Sequence, residues 1–345
     1  MTPSYPLFSL DTPDDITAYL RNIGFFAADE HVQMLTKAGE GNMNVVLRVT
    51  TPRRTFILKQ ARPWVAKYPQ IPAPEERAQV EAAFYASAAS NPTVTQAMPK
   101  LLAHRPEAQL LLFEDLGTLD DATALYTDGG ADVPALPMLC RWLSALHNSS
   151  YEDASHDVLT NRAMRELNHE HLFRYPLLPD NGLDLDGITP GLQAEADRLK
   201  QNGAYVAAIT RLGERYLSDD GGTLLHGDYY PGSWLARAEQ VFIIDPEFCF
   251  LGPAEYDIGV LAAHLAFARR PMRLIQSLLD HYDAPAHFDP ALALQFAGME
   301  WMRRLIGVAQ LPIAMNLDEK ALLLRRSEQF VLTPAEALEA LNVTV

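Results

Sequence analysis

Asp228 and Asp245 carry the strongest chemical signal in this 345-residue chain. Asp228 follows the apolar pair Leu224-Leu225 in the run His226-Gly227-Asp228-Tyr229-Tyr230-Pro231-Gly232-Ser233. Asp245 follows Val241-Phe242-Ile243-Ile244 and opens Asp245-Pro246-Glu247. Both apolar runs are β-prone, so each acid is delivered at a strand end. Two carboxylates delivered this way suit phosphoryl transfer, one beside an acceptor hydroxyl and the other on the metal that accompanies a nucleotide. Asp228 is the expected catalytic group. Asp245 and Glu247, with the Ser233 hydroxyl, are the expected Mg2+ ligands, because a hard ion takes carboxylates plus phosphates and water. Asp after Gly and Asp-Pro also start ordinary turns, so the signal lies in the combination.

The same chemistry needs a grip on the nucleotide phosphates. Gly39-Glu40-Gly41-Asn42-Met43-Asn44 lies between two β-prone stretches, and a hairpin with two glycines brings backbone N–H groups close to phosphate oxygens. A dinucleotide fingerprint would need a helix after the loop, and no Walker-type lysine loop occurs. One strand later comes Lys59, in the position of a lysine that reaches the α- and β-phosphates. Glu81 on the next helix is the expected partner of Lys59, with Glu76 as the rival nearer the helix start. Glu114 and Leu116, after the apolar run Leu110 to Phe113, would offer main-chain groups to an adenine edge.

The elements that must position these residues are legible in outline. Thr12-Pro13-Asp14-Asp15 starts a helix that runs to about Asn22, with Thr12 as capping hydroxyl. Strands are expected over Val32 to Leu35, Val45 to Val49, Phe56 to Lys59 and Leu110 to Phe113. Pro63 to Pro74 is too proline-rich for regular helix, and Glu75 to Ala89 reads as helix. Beyond that the pattern is mostly helical: Pro137 to Leu146, Ala163 to Phe173, Gly191 to Leu217, Phe267 to Leu279 and Ala291 to Val308. The prediction is therefore α+β, with a β-rich nucleotide-binding part over residues 1–115 and a helical part over 116–345.

Bulk composition limits the partners. A net charge of −16 argues against a nucleic-acid backbone as ligand. Two cysteines give neither a disulfide framework nor a metal motif, which suits a reducing cytosol. Neither a signal peptide nor a long apolar span is visible, so a cytoplasmic protein without membrane contact is expected.

These motifs resemble those of the aminoglycoside phosphotransferase and choline kinase superfamily, and within it the 5-methylthioribose kinase family. The resemblance covers roughly residues 35 to 310. Its carriers are the Gly39 to Asn44 loop, Lys59-Gln60-Ala61-Arg62-Pro63-Trp64-Val65, and the Arg77 to Glu81 segment. They continue with His226 to Ser233, Asp245 to Gly259, and Arg303-Arg304-Leu305-Ile306-Gly307. The resemblance implies a bilobal, protein-kinase-like fold with an antiparallel N-lobe sheet, and ATP with Mg2+ as cofactors. The implied acceptor is a small-sugar hydroxyl, and the related kinases are often homodimers. It implies that Asp228 is catalytic, that Asp245 and Glu247 bind metal, and that Arg303 and Arg304 lie by the sugar or the transferring phosphate. Tyr229 and Trp64 join them as expected substrate contacts. The family's second histidine of H-G-D-L-H is replaced here by Tyr230. An aminoglycoside, choline-like or other acceptor on the same fold, and a non-catalytic nucleotide binder, are the alternatives.

Overall fold

The computed structural model describes residues 3–39, 41, 43–127, 136–149, 156–237, 240–270 and 273–343. The chain forms two compact units, Met1–Leu119 and Asp120–Val345.

The first unit is built on a five-stranded antiparallel sheet. Its strands are β1 (Met34–Lys37), β2 (Val45–Thr50), β3 (Thr55–Gln60), β6 (Leu101–Arg105) and β7 (Leu110–Glu114), in the order β1-β2-β3-β7-β6. A small hairpin of β4 (Trp64–Val65) and β5 (Tyr68–Pro72) occupies the proline-rich stretch. Side-chain alternation divides the sheet into two faces. Leu47, Val49, Phe56, Leu58, Leu110 and Leu112 pack with Phe8, Ile16 and Leu20 on the face of the helix Pro13–Asn22. Ile57, Leu111 and Phe113 pack with Ala78 and Tyr85 of the helix Arg77–Ala88 on the other. Parity therefore places Gln60 on the first face, where its amide bonds Phe8, Pro6 and Ala108 backbone groups. It places Lys59 on the face of the second helix.

The second unit is mainly helical, with two two-stranded antiparallel pairs that set the site. These are β8 (Thr223–Leu225) with β11 (Phe250–Gly252), and β9 (Trp234–Arg237) with β10 (Gln240–Ile243). The chain runs β8, loop 226–233, β9, β10, turn 244–249, β11. Because β11 returns to β8 while β10 pairs with β9, the loop and the turn lie side by side. Behind them the fully buried helix Glu255–Phe267 packs on the helix Pro290–Ile306, itself covered by Leu317–Leu332. A Cβ at Gly259 would stand 2.6 Å from the Phe296 Cβ and 2.7 Å from the Ala293 carbonyl oxygen, so only glycine permits this approach. Among the described residues no helix is long and apolar enough to cross a membrane.

Several boundaries differ from those the sequence predicts. The Thr12 hydroxyl does not cap the first helix; it bonds Ser9 instead. The stretch Gly191 to Leu217 is two helices, Leu192–Lys200 and Gly203–Ser218, because the Asn202 side chain accepts from the Ala204 and Tyr205 N–H groups and starts a second helix. The helix expected to end at Phe173 passes into a π-helical turn at Glu170–Arg174. Phe267 ends one helix rather than beginning the next, which runs Arg273–His281 beyond a left-handed Arg269 at φ 55.

Candidate active site

In the first unit, the Lys59 ammonium pairs with the Glu81 carboxylate, and both side chains are buried. β3 lies between β2 and β7, so Lys59 is not an edge-strand lysine. Glu76, at the start of the same helix, is exposed. Breaking a buried pair of this kind by removing one partner costs about 3–5 kcal/mol, because it strands the other charge.

Arg77, only 1% exposed, ties the glycine loop to the proline-rich stretch. Its Nε donates to the Asn44 Oδ1 at 2.9 Å and its Nη2 to the Met43 carbonyl at 3.0 Å. Its Nη1 donates to the Arg62 and Pro74 carbonyls. Asn44 is thus an anchor of the loop. Gly39 and Gly41 lie in the same loop, Gly39 at φ 145; Asn42 lies outside the described residues. At the end of β7 the Glu114 N–H donates to the Lys100 carbonyl, so its carbonyl is the group left to consider for an adenine contact. The turn after it is set by Asp115, which accepts from Arg48 Nε and the Gly117 N–H, each at 2.9 Å. Burial pushes the Asp115 carboxyl up, but these bonds outweigh it and hold it below its ordinary value. Leu116 lies inside that turn. Trp64 is half-buried in β4.

In the second unit, Asp257, fully buried, fixes the loop after β8. Its carboxylate accepts the His226 N–H at 2.7 Å and the Gly227 N–H at 3.0 Å, with His147 Nε2 at 3.2 Å. His226 then joins loop to turn: its Nε2–H donates to the Ile244 carbonyl at 3.0 Å, and its Nδ1 accepts the Asp228 N–H at 3.3 Å. Those two bonds require the neutral ring with its proton on Nε2. Ser233 donates its hydroxyl to the Asp228 carbonyl at 2.9 Å, and its own carbonyl accepts from Ile244. The hydroxyl expected beside the metal therefore also closes the loop.

Asp245 sits in the left-handed region at φ 66, a conformation that costs a non-glycine residue energy and persists where the surroundings enforce it. Glu247 follows in a buried 3-10 turn whose carbonyl is held by the Asn161 amide at 3.2 Å. Among the described residues there is no group of three or more His, Cys, Asp or Glu able to hold a metal unaided. Asp245 and Glu247, two positions apart in the chain, are too few for a resident all-protein site and suit only an ion such as Mg2+ that brings phosphate and water ligands with it.

The Asp228 carboxyl points away from this anchoring, toward Arg303 and Arg304. Its Oδ1 lies 3.9 Å from the Arg303 Nη2 and 3.7 Å from the Arg304 Nη2, beyond hydrogen-bond range. Burial pushes its pKa up to about 6 against the downward pull of Arg304 and Arg303, with Glu300 and Asp245 adding to the rise. The side chain remains 26% exposed, enough to receive a ligand. At neutral pH it is mostly ionised and can accept a proton.

Tyr229 is corrected by the structure. It is fully buried, stacks on Trp142 at 5.3 Å with an 8° interplanar angle, and donates its hydroxyl to the Leu139 carbonyl. Successive side chains on an extended stretch point opposite ways, and it is Tyr230 whose ring lies under the Arg304 guanidinium, 4.9 Å from Cζ. Sequence reasoning named Arg77 only as part of a motif, without this anchoring role, and did not name Glu300, a buried acid that bonds both arginines. The i, i+3, i+4 spacing of Glu300, Arg303 and Arg304 was the available signal for the second.

The model of the phosphotransferase enzyme family matches residues 35–294. The chain belongs to that family. A methylthioribose kinase from Exiguobacterium sibiricum is 28% identical over 68% of this chain, and the match spans only 61% of that protein's length. One from Pectobacterium carotovorum is 27% identical, covering 91% of this chain and 90% of its own. Among solved structures, an ethanolamine kinase from Plasmodium vivax superposes with a TM-score of 0.55 at 11% identity, covering 96% of this chain and 94% of its own. The fold is thus that of the protein-kinase-like phosphotransferases, α+β with an antiparallel sheet in the N-terminal unit and helices in the C-terminal one.

Proposed function

We propose that this phosphotransferase is an ATP-dependent kinase of a small-sugar hydroxyl, with 5-methylthioribose the first candidate. The observation that carries the reading is the Asp228 carboxylate, anchored through its backbone and facing two arginines that it does not hydrogen-bond. The relatives named methylthioribose kinase support the choice of acceptor.

In this reading the acceptor hydroxyl donates to Asp228. As the new O–P bond forms and the bond to the departing ADP breaks, the proton passes to that carboxylate and then to water. Arg303 and Arg304 neutralise charge on the moving phosphoryl group. Lys59, aimed by Glu81, binds the α- and β-phosphates, beside backbone N–H groups of the Gly39–Gly41 loop. The Glu114 carbonyl and Leu116 main chain serve the adenine edge. Asp245 and Glu247, with Ser233, would hold Mg2+, which supplies charge neutralisation of the nucleotide phosphates. Tyr230 replaces Tyr229 as the aromatic wall of the acceptor site, and Trp64 is the second proposed contact. Two arginines beside Asp228 disfavour a cationic acceptor such as choline or an aminoglycoside.

The acidic balance of −16 supports a chain without nucleic-acid partners, and the presence of only two cysteines, both buried, suits the cytosol, where ATP is available. Dimer formation is carried over from the resemblance alone. The test is ADP release against methylthioribose, other pentoses, choline and an aminoglycoside. Turnover of methylthioribose above the rest is expected. Strong turnover of another acceptor beside none of methylthioribose would overturn the choice of sugar.

A further inference from the structure

We propose that Glu300 is the positioning residue of the arginine pair, and that His264 and Tyr126 lock its orientation. The inference rests on the reading of Arg303 and Arg304 as phosphoryl-facing groups. It adds a chain of three side chains, from three separate elements, to which no role in the reaction has been given.

Glu300 is fully buried on the helix Pro290–Ile306, and both arginines reach back to it from the following turn. Its Oε2 accepts Arg303 Nε at 2.6 Å, and its Oε1 accepts Arg304 Nε at 2.8 Å. Oε1 also accepts the His264 Nε2–H at 3.0 Å. The other His264 nitrogen, Nδ1, accepts the Tyr126 hydroxyl at 2.6 Å, which fixes the ring as the tautomer that donates to Glu300. Burial holds His264 down to about 4, so the ring is neutral at physiological pH. Burial alone would raise the Glu300 carboxyl; Arg303, Arg304 and the His264 N–H hold it well below its ordinary value instead.

The geometry has a directional consequence. Engaging each guanidinium through Nε presents the Nη edge elsewhere, and in both residues Nη2 is the atom near Asp228. Arg304 is held further by its Nη1 bond to the Ala309 carbonyl at 3.3 Å and by the Tyr230 ring beneath it. An arginine side chain carries about 2 kcal/mol of rotamer entropy, and this arrangement spends it during folding rather than during the reaction. The Glu300 charge also offsets one of the two positive charges, and the ionised Asp228 faces the other.

The test compares Glu300→Gln, Glu300→Asp and Tyr126→Phe with the wild type, on whichever acceptor the wild type phosphorylates. Glu300→Gln is expected to lower kcat by about 10- to 100-fold, the scale of an ångström of misplacement, with the acceptor KM and the ATP Kd within about 3-fold of wild type. Glu300→Asp should recover part of the loss. Tyr126→Phe, which keeps shape and charge, should give a smaller fall in the same parameter. The arginine Nε–H signals of Arg303 and Arg304, read by 15N NMR, should shift or broaden in Glu300→Gln and Tyr126→Phe. Unchanged kcat in Glu300→Gln, or unchanged Nε–H signals in both variants, would overturn the proposal. If Glu300→Gln does not fold, Tyr126→Phe decides by the same two readouts. A wild type that phosphorylates no sugar would remove the functional reading, while the NMR comparison would still judge the arginine clamp.

Discussion

Gly227→Ala tests whether the closeness of loop 226–233 and turn 244–249 is what makes the site work. Gly227 lies at φ 83, and a Cβ there would stand 2.0 Å from the Phe248 carbonyl oxygen and 2.5 Å from its carbon. Carbon atoms rest at about 3.5–4.0 Å, so the loop and the turn must part by at least about 1 Å. The left-handed conformation adds about 1–2 kcal/mol for a residue with a side chain. Parting them stretches the His226 Nε2 to Ile244 bond and the Gly227 N–H to Asp257 bond, which together set Asp228 relative to Asp245. An ångström of misplacement costs roughly 100-fold in rate. Steady-state ADP release should show kcat down by about two orders of magnitude in a variant that still melts cooperatively. A folded Gly227→Ala with kcat within about 3-fold of wild type would refute the reasoning.

Lys59→Met should lower the melting temperature and weaken nucleotide binding, because it strands Glu81 at a cost of about 3–5 kcal/mol. Adding Glu81→Leu should restore stability without restoring binding; calorimetry and nucleotide titration read the two effects apart, and wild-type affinity in the double variant would contradict the phosphate role. The pH dependence follows from Asp228, whose pKa rises from 3.8 to about 6 on folding. Between those values the folded protein holds a proton that the unfolded chain has released, so ionisation of Asp228 weakens the fold as pH rises through this window. Asp228→Asn should therefore raise the melting temperature more at pH 8 than at pH 4, and an equal shift at both would count against the buried environment.

The parts of the site legible in sequence were those whose logic is local. Lys59 closes an apolar run and Glu81 lies on the next helix, and the apolar runs before Asp228 and Asp245 mark their strand ends. What stayed hidden depends on partners distant in sequence. Nothing in Tyr229-Tyr230 tells which ring turns inward, because Trp142 and Leu139, which receive Tyr229, come from another helix. Glu300, His264 and Tyr126 meet only after three elements pack, and Asn161 reaches the Glu247 turn across 86 residues of sequence. The break at Asn202 was missed because helical periodicity runs on through it, while the side-chain cap that starts the second helix outweighs the pattern.

The proposed function requires Asp228 to drive phosphoryl transfer to a sugar hydroxyl. Its most direct test follows methylthioribose phosphorylation by 31P NMR, with wild type and Asp228→Asn at equal concentration and nucleotide affinity measured in parallel. Wild type should yield a phosphorylated sugar and the variant should lose at least about 1000-fold in rate at unchanged ATP affinity, as for removal of a proton acceptor and its charge together. Full turnover by Asp228→Asn would contradict it.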